Sequence, residues 1–327
     1  MPVPINEDEV KAYLKSFGWP KGLAVQLLKC LQKNSHRFYI LDDSGSMMSN
    51  DGSMIVNGKT ITCSRWAELG DAMKFHVNLA KVAGSKTEFR FLNQSQAVIV
   101  GDDPATDDAK VYKIFDVFNE SPSGGTPLCK HIGEVKQKIN ALVPKLKELN
   151  ERASLIICTD GEPSDGDIKA ALNSLQGLPV DIVIRLCTNE DNIVEFWNSI
   201  DKQLEVTMDI LDDWSNEAAE IYKINNWVNY SLPIQRFREC GVSLKEFDLL
   251  EESKLTPENL RRFLIALMGN GDLPNPVVNW AAFITEVDRE VKSYDPLFNP
   301  VTKRREGLVN VAKIKSSYGP GGCCTIA

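Results

Sequence analysis

Short apolar runs alternate with amphipathic stretches over the first two thirds of the chain. Residues 38–41 and 155–158 are continuous apolar runs, which are typical of strands buried on both faces. Further strands are predicted at 88–92, 97–100, 180–187 and 206–211. Helices are predicted between them, one starting at Trp66 and others at 107–118, 127–149, 165–176, 190–203 and 215–224. The alternation predicts an α/β fold with a doubly wound, mostly parallel sheet flanked by helices.

A β-hairpin is predicted between the first strand and the first long helix. Residues 53–56 and 60–63 flank Asn57-Gly58, the dipeptide that most strongly favours a two-residue hairpin turn. This hairpin would follow the loop after the first strand directly.

Helical segments are predicted on both sides of the α/β region. Residues 6–33 predict a helical hairpin broken at Trp19-Pro20, with Phe17 and Val25 among the apolar stripe positions. After about residue 225 the pattern changes to loops and helices. The expected organisation is an N-terminal helical segment at 1–35, an α/β domain at 36–224, a helical extension at 225–300 with helices at 257–268 and 277–293, and a flexible basic tail at 301–327.

Oxygen-bearing side chains follow two of the predicted buried strands. Asp42, Ser44 and Ser46 come directly after the first strand, and Asp160 ends the strand that includes residues 155–158. Between them, Gly-Gly-Thr-Pro presents the Thr126 hydroxyl at a predicted helix N-terminus, with the proline expected at the first helical position. Loops at the carboxyl ends of parallel strands can meet in one crevice. Carboxylate and hydroxyl oxygens are ligands that Mg²⁺, Mn²⁺ and Ca²⁺ prefer.

The five residues, in this order and context, resemble the metal-ion-dependent adhesion site of the von Willebrand factor type A domain family. The resemblance covers about residues 36–210 and is closest to intracellular members such as copines. It implies that Ser44, Ser46 and Thr126 approach the cation through oxygen, while Asp42 and Asp160 act directly or through bound water. An Asp or Glu carboxylate of a partner protein would complete the coordination. Asp43 adds a negative charge within the motif, where many members carry a small or uncharged residue.

Composition narrows the class of protein. The chain has 327 residues, a formal net charge of −8 and the hydrophobic and charged fractions of an ordinary globular protein. The acidic balance disfavours general nucleic-acid binding. The sequence shows no secretory signal and no apolar run long enough for a membrane span, and the scattered cysteines are typical of reduced thiols. A cytoplasmic protein is expected.

The C-terminal residues Cys-Thr-Ile-Ala fit a prenylation pattern. Cys324 is the candidate acceptor, and adjacent Cys323 could carry an acyl chain, because one lipid alone gives only marginal membrane binding. A plain tail without lipid is the alternative. Lipidation would add peripheral membrane association.

Three functions are compatible with the sequence. The first is a divalent-cation-dependent protein-binding module, for which Mg²⁺ is the expected ion and Mn²⁺ or Ca²⁺ the alternatives. The second is a metal-dependent hydrolase or phosphoryl-transfer enzyme using the same site; Cys129 is a conceivable nucleophile, but the scattered His36, His76 and His131 place no general base. The third is a lipid-anchored scaffold that combines the metal site with the tail.

Overall fold

The fold is described by a computed structural model covering residues 5–56, 58–204, 206, 208–242 and 244–320. Its strands are β1 Asn34–Leu41, β2 Gly52–Val56, β3 Lys59–Cys63, β4 Thr87–Phe91, β5 Val98–Val100, β6 Arg152–Thr159, β7 Val180–Leu186, β8 Met208–Leu211, β9 Leu297–Asn299 and β10 Arg304–Glu306. Its helices are α1 Glu7–Ser16, α2 Lys21–Lys33, α3 Arg65–Ala83, α4 Pro104–Asn119, α5 Leu128–Leu149, α6 Ile168–Asn173, α7 Asp191–Asp201, α8 Trp214–Ile224, α9 Leu232–Glu239, α10 Lys245–Glu252, α11 Pro257–Met268, α12 Trp280–Val291 and α13 Val311–Tyr318.

The described residues form two units. The first comprises residues 5–13, 28–213 and 239–241, and the second comprises 14–27, 214–238 and 242–320. Each unit is described separately below.

A six-stranded sheet in the order β5-β4-β1-β6-β7-β8 lies at the centre of the first unit. Every pairing in it is parallel except that of the edge strand β5 with β4. From β1 the chain passes through α3 to β4 on one side, and later through α5 to β6 on the other. The sheet order therefore reverses between β1 and β6, the position where open α/β sheets bind ligands. The predicted α/β class with a mostly parallel sheet is confirmed.

Helices cover both faces of this sheet. Phe38 and Ile40 of β1 belong to a core that includes apolar residues of α5, α6 and α7. Tyr39 and Leu41, which alternate with them, belong to a second core with residues of α3 and α4. Because successive side chains of a strand point to opposite faces, one continuous apolar run supplies both cores.

The predicted hairpin is present as the antiparallel pair β2 and β3, with Gly52 opposite Cys63 and Val56 opposite Lys59. Asn57 of the predicted turn lies outside the described residues, and Gly58 has a φ of 74°. Glu68 of α3 accepts a hydrogen bond from the backbone N–H of Ser53 at 2.7 Å. This contact fixes β2 against the start of α3.

α1 and α2 are separated at Trp19-Pro20 as predicted. Two positions of the predicted apolar stripe, however, are not buried. Phe17 is 48% exposed and Val25 is 43% exposed. Phe17 lies in the turn after α1 has ended, so the helical spacing no longer directs its side chain.

An aromatic cluster packs the second unit. Phe263 lies 5.6 Å from Trp227 and 5.0 Å from Phe247 between ring centroids, and Phe247 lies 5.3 Å from Phe237. The predicted helix at 257–268 is observed with the Thr256 hydroxyl accepting a hydrogen bond from the Asn259 N–H. The one predicted at 277–293 is shorter, as α12, because Asn279 caps it.

The region predicted as a flexible basic tail contains regular structure. β10 pairs with β9, and α13 is capped by the Asn310 side chain and buries Ile314. The apolar positions of α13 explain why this segment orders. Residues 321–327, which include Cys323 and Cys324, lie outside the described residues. Among the helices that the described ranges contain, none combines the length and apolar character required to cross a bilayer.

Candidate functional site

Asp42 and Asp160 lie at the carboxyl ends of the two strands where the sheet order reverses. Leu41 pairs with Cys158, and the Asp42 N–H extends the ladder by donating to the Cys158 carbonyl at 2.9 Å. Both aspartates are almost fully buried, with exposures of 0% and 3%. The strand register therefore brings the two predicted carboxylates to one point of the sheet edge.

Ser44 and Ser46 link these two carboxylates through the Ser44 N–H and the two hydroxyls. Asp42 Oδ1 accepts from the Ser44 N–H at 2.9 Å, and Ser44 Oγ lies 3.0 Å from Ser46 Oγ. Ser46 Oγ donates to Asp160 Oδ1 at 2.8 Å. Ser44 is buried whereas Ser46 is exposed, so the hydroxyls lead from the buried carboxylates toward the surface. Four of the five predicted ligands thus form one hydrogen-bonded group, named here the oxygen cluster.

Backbone hydrogen bonds of the preceding residues bring Thr126 beside the oxygen cluster. The Gly45 N–H donates to the Gly124 carbonyl at 3.3 Å, and the Ser123 N–H donates to the Asp43 carbonyl at 2.8 Å. The Thr126 side chain is half-buried and makes no hydrogen bond to any other described residue of the cluster. Pro127 was predicted to be the first residue of this helix. It is instead the residue before α5, which begins at Leu128.

Asp43 points away from the oxygen cluster and anchors the Thr126 loop indirectly. Its Oδ1 accepts from the Asn93 N–H at 2.8 Å and from Asn93 Nδ2 at 2.9 Å. Asn93 Nδ2 also donates to the Gly125 carbonyl at 2.9 Å. Burial raises the pKa of Asp43, and the hydrogen bonds from Asn93 oppose this shift. The negative charge of Asp43 therefore serves loop position, a role that the sequence did not indicate.

Gly124 is required by this arrangement. Its φ is +100°, and a Cβ added there would lie 2.4 Å from Asn93 Oδ1. Positive φ favours glycine, and contact with the Asn93 amide leaves no room for a side chain. Gly125 differs, since a Cβ there would lie 3.3 Å from the Ser164 hydroxyl.

Arg65, the first residue of α3, is a buried cation at the edge of the site that sequence reasoning missed. Its Nη1 donates to Asp160 Oδ2 at 2.9 Å, its Nε and Nη2 form a two-pronged pair with Asp51, and Nη2 also donates to Glu190. This pairing holds the pKa of Asp51 below its usual value. One signal could have indicated Arg65: the segments 42–51, 119–127, 160–167 and 187–191 contain acidic residues but no Lys or Arg.

Thr159 is a second missed participant. Its Oγ1 donates to Asp42 Oδ2 at 2.6 Å. Both Asp42 oxygens therefore accept hydrogen bonds from neutral donors, one from Thr159 and one from Ser44. Burial raises the pKa of Asp42, while these hydrogen bonds oppose the shift.

The residues present fit a hard divalent cation. Asp42 is a buried carboxylate with neutral hydrogen-bond partners, and the neighbouring donors are hydroxyl oxygens. Within the described part of the chain, no group of three or more His, Cys, Asp or Glu side chains is placed to hold a metal ion. The candidate set contains two carboxylates, so a cation here would depend on Ser44, Ser46 and Thr126.

The candidate catalytic groups hold structural positions. His131 is buried, with Nε2 at 3.0 Å from the Leu92 carbonyl oxygen, and burial lowers its pKa. His76 Nε2 lies 2.9 Å from a carboxylate oxygen of buried Glu239. Burial and nearby Asp165 raise the pKa of the Cys129 thiol to about 11, which disfavours the nucleophilic thiolate.

Replacing Gly124 by alanine is expected to destabilise the first unit by about 1–3 kcal/mol, because the positive φ and the Asn93 contact are both strained. Gly125→Ala, the matched control in the next position, should cost less than about 1 kcal/mol. Urea unfolding of both variants measures the difference. Equal losses for the two glycines would contradict the described loop geometry.

Comparisons with known proteins add a distant structural likeness. No protein-family model matches the chain, and no curated protein matches its sequence. Among solved structures, the chain is similar to the crystal structure of the conserved hypothetical protein BatB from Bacteroides thetaiotaomicron, with 14% identity and a TM-score of 0.35. The match covers 62% of this chain and 98% of BatB. At this TM-score we infer neither family membership nor function from the likeness.

Proposed function

We propose that the first unit is a divalent-cation-dependent protein-binding module. The observation that carries the proposal is the oxygen cluster, in which Ser44 and Ser46 join the buried carboxylates of Asp42 and Asp160 beside the Thr126 loop. The resemblance of these five residues to the adhesion site of von Willebrand factor type A domains supports the same proposal. Mg²⁺ is the proposed cation, with Mn²⁺ or Ca²⁺ as alternatives.

The mixture of neutral and charged oxygens favours binding over a closed structural metal site. Ser44, Ser46 and Thr126 would hold the cation through neutral hydroxyls, and Asp42 would compensate part of its charge. Asp160 is paired with Arg65, so its charge is partly balanced already. A bound cation would supply net positive charge near the surface, which suits an Asp or Glu carboxylate of a partner protein.

Access to the proposed site is compatible with a protein ligand. Ser46 is exposed and Thr126 is half-buried, while Asp42, Ser44 and Asp160 are buried. A partner side chain could therefore approach the exposed hydroxyl of Ser46 while the carboxylates of Asp42 and Asp160 stay buried.

The alternative, a metal-dependent hydrolase or phosphoryl-transfer enzyme, has less support. His76 and His131 are buried in contacts with Glu239 and the Leu92 carbonyl, and burial raises the pKa of the Cys129 thiol to about 11. A protein-binding role requires none of these groups to act as base or nucleophile. We therefore favour binding without catalysis.

We further propose a cytoplasmic location without nucleic-acid binding, on the basis of the net charge of −8 and the cysteine distribution. The C-terminal Cys-Thr-Ile-Ala pattern supports an additional lipid anchor at Cys324, with Cys323 as a second acceptor. Such an anchor would make the chain a membrane-associated scaffold for the same protein ligand.

Thr126→Ala is expected to weaken Mn²⁺ binding at least about tenfold, since a direct oxygen ligand is lost while no described hydrogen bond of the fold is removed. Isothermal titration calorimetry with Mn²⁺ measures this, and Ser121→Ala, a hydroxyl loss in the same loop, is the matched control. The same proteins serve as baits for capture in Mg²⁺ and elution with chelator, followed by mass spectrometry. Unchanged Mn²⁺ affinity and unchanged chelator-eluted proteins for Thr126→Ala would exclude the proposed site.

Fractionation of cells that express the full chain tests the proposed anchor. The native chain should distribute partly to membranes, whereas Cys324→Ser should move to the soluble fraction because prenylation requires that thiol. Cys30→Ser is a control for a thiol outside the motif. A native chain found wholly in the soluble fraction would refute the anchor and leave the metal site unaffected.

A further inference from the structure

Arg65 joins three carboxylates from three separate segments around the oxygen cluster. Asp51 comes from the loop before β2, Asp160 from the end of β6, and Glu190 from the segment before α7. The contacts measure 2.6 and 2.7 Å to Asp51, 2.9 Å to Asp160 and 2.5 Å to Glu190. The Arg65 side chain is only 4% exposed, and the two-pronged pair with Asp51 fixes the plane of the guanidinium.

This arrangement restricts Asp160. One Asp160 oxygen accepts from Ser46 and the other accepts from Arg65, so both are engaged in contacts with the protein. A carboxylate held in this way must give up a charge-assisted hydrogen bond before that oxygen can turn to a cation. Asp42 is different, because its two oxygens accept from Ser44 and Thr159, which are neutral donors.

The Arg65 charge has no substitute among the neighbouring loops. Segments 42–51, 119–127, 160–167 and 187–191 contain no Lys or Arg, and Arg65 at the start of α3 is a cation that contacts three of them. At a few ångströms and in a partly buried position, one charge changes the binding of a divalent cation strongly.

We propose that Arg65 is a positioning residue that holds Asp160 away from direct contact with the cation and so keeps the cation affinity of the free protein low. This inference rests on the proposed function. Asp51 and Glu190 orient the guanidinium for that task. The cation then retains the positive charge that a partner carboxylate neutralises, so partner binding and cation binding reinforce each other.

The binding of Mn²⁺ to the full chain, without a partner protein, tests this role. Calorimetry measures the affinity, and the rise in melting temperature that Mn²⁺ causes is the second readout. Arg65→Gln removes the charge and should tighten Mn²⁺ binding by about tenfold or more, with a larger Mn²⁺-induced rise in melting temperature than wild type. Arg65→Lys keeps the charge and should remain closer to wild type. Arg152→Gln, which removes the Arg152–Asp181 pair at the opposite end of β6, is the matched control and should leave Mn²⁺ affinity unchanged.

A purely structural role for Arg65 predicts the reverse, because loss of the ion pairs would disorder the site and weaken Mn²⁺ binding. Wild-type binding of Mn²⁺ with unchanged or weaker binding by folded Arg65→Gln would overturn this inference and leave the proposed function standing. Failure of the wild type to bind Mn²⁺ would overturn both.

A second variant keeps the test decisive if Arg65→Gln does not fold. Asp51→Asn keeps the Arg65 charge but removes the two-pronged pair that orients its guanidinium, so Arg65 should hold Asp160 less firmly. Mn²⁺ binding should tighten about threefold or more, the opposite of what the loss of a nearby negative charge alone would cause, and the effect should persist in 0.5 M salt because the Arg65–Asp160 contact is buried. Glu162→Gln, which removes an exposed carboxylate two residues after Asp160, should have little effect in that salt. Equal effects of the two variants would refute the positioning role.

Discussion

The parallel pairing of β1 with β6 is the constraint on which the site depends. Leu41 lies opposite Cys158, so Asp42 after β1 and Asp160 after β6 leave the sheet at the same edge. The chain adds strands on one side of β1 before it returns to place β6 on the other, and the resulting crevice receives Asp42 and Asp160 together. A shift of either strand by one residue would exchange its two apolar faces, so the packing on both sides fixes the position of the carboxylates.

Charge balance gives this crevice its chemical character. Buried carboxylates are costly unless hydrogen bonds or cations compensate them. Asp43 is directed to Asn93, Asp160 to Arg65 and Ser46, and Asp42 to Thr159 and the Ser44 N–H. The three adjacent acids therefore have three different environments. One acid anchors a loop, one pairs with arginine, and the third, Asp42, would be left to face the proposed cation.

The sequence predicted the sheet and the oxygen cluster because both arise from local patterns. Apolar runs locate β1 and β6, and the polar residues directly after them locate Asp42, Ser44, Ser46 and Asp160. The contacts of Arg65 could not be predicted in the same way, since its three partners are distant in sequence and meet it only after the sheet has assembled. The contact of the Asp43 side chain with Asn93 could not be predicted for the same reason. In the second unit, short elements such as α9, α10 and β9 lack the long periodicity that predicts a helix or strand, whereas the longer helix predicted at 257–268 is observed as α11.

The proposed site requires Ser44, Ser46 and Thr126 to hold a divalent cation close to Asp42. A crystal structure grown with Mn²⁺, with anomalous diffraction recorded to locate the ion, tests it most directly. We expect an anomalous peak in contact with these three hydroxyl oxygens, with the Arg65–Asp160 pair intact beside it. A well-ordered loop without a peak at saturating Mn²⁺, or a peak only at other residues, would contradict it.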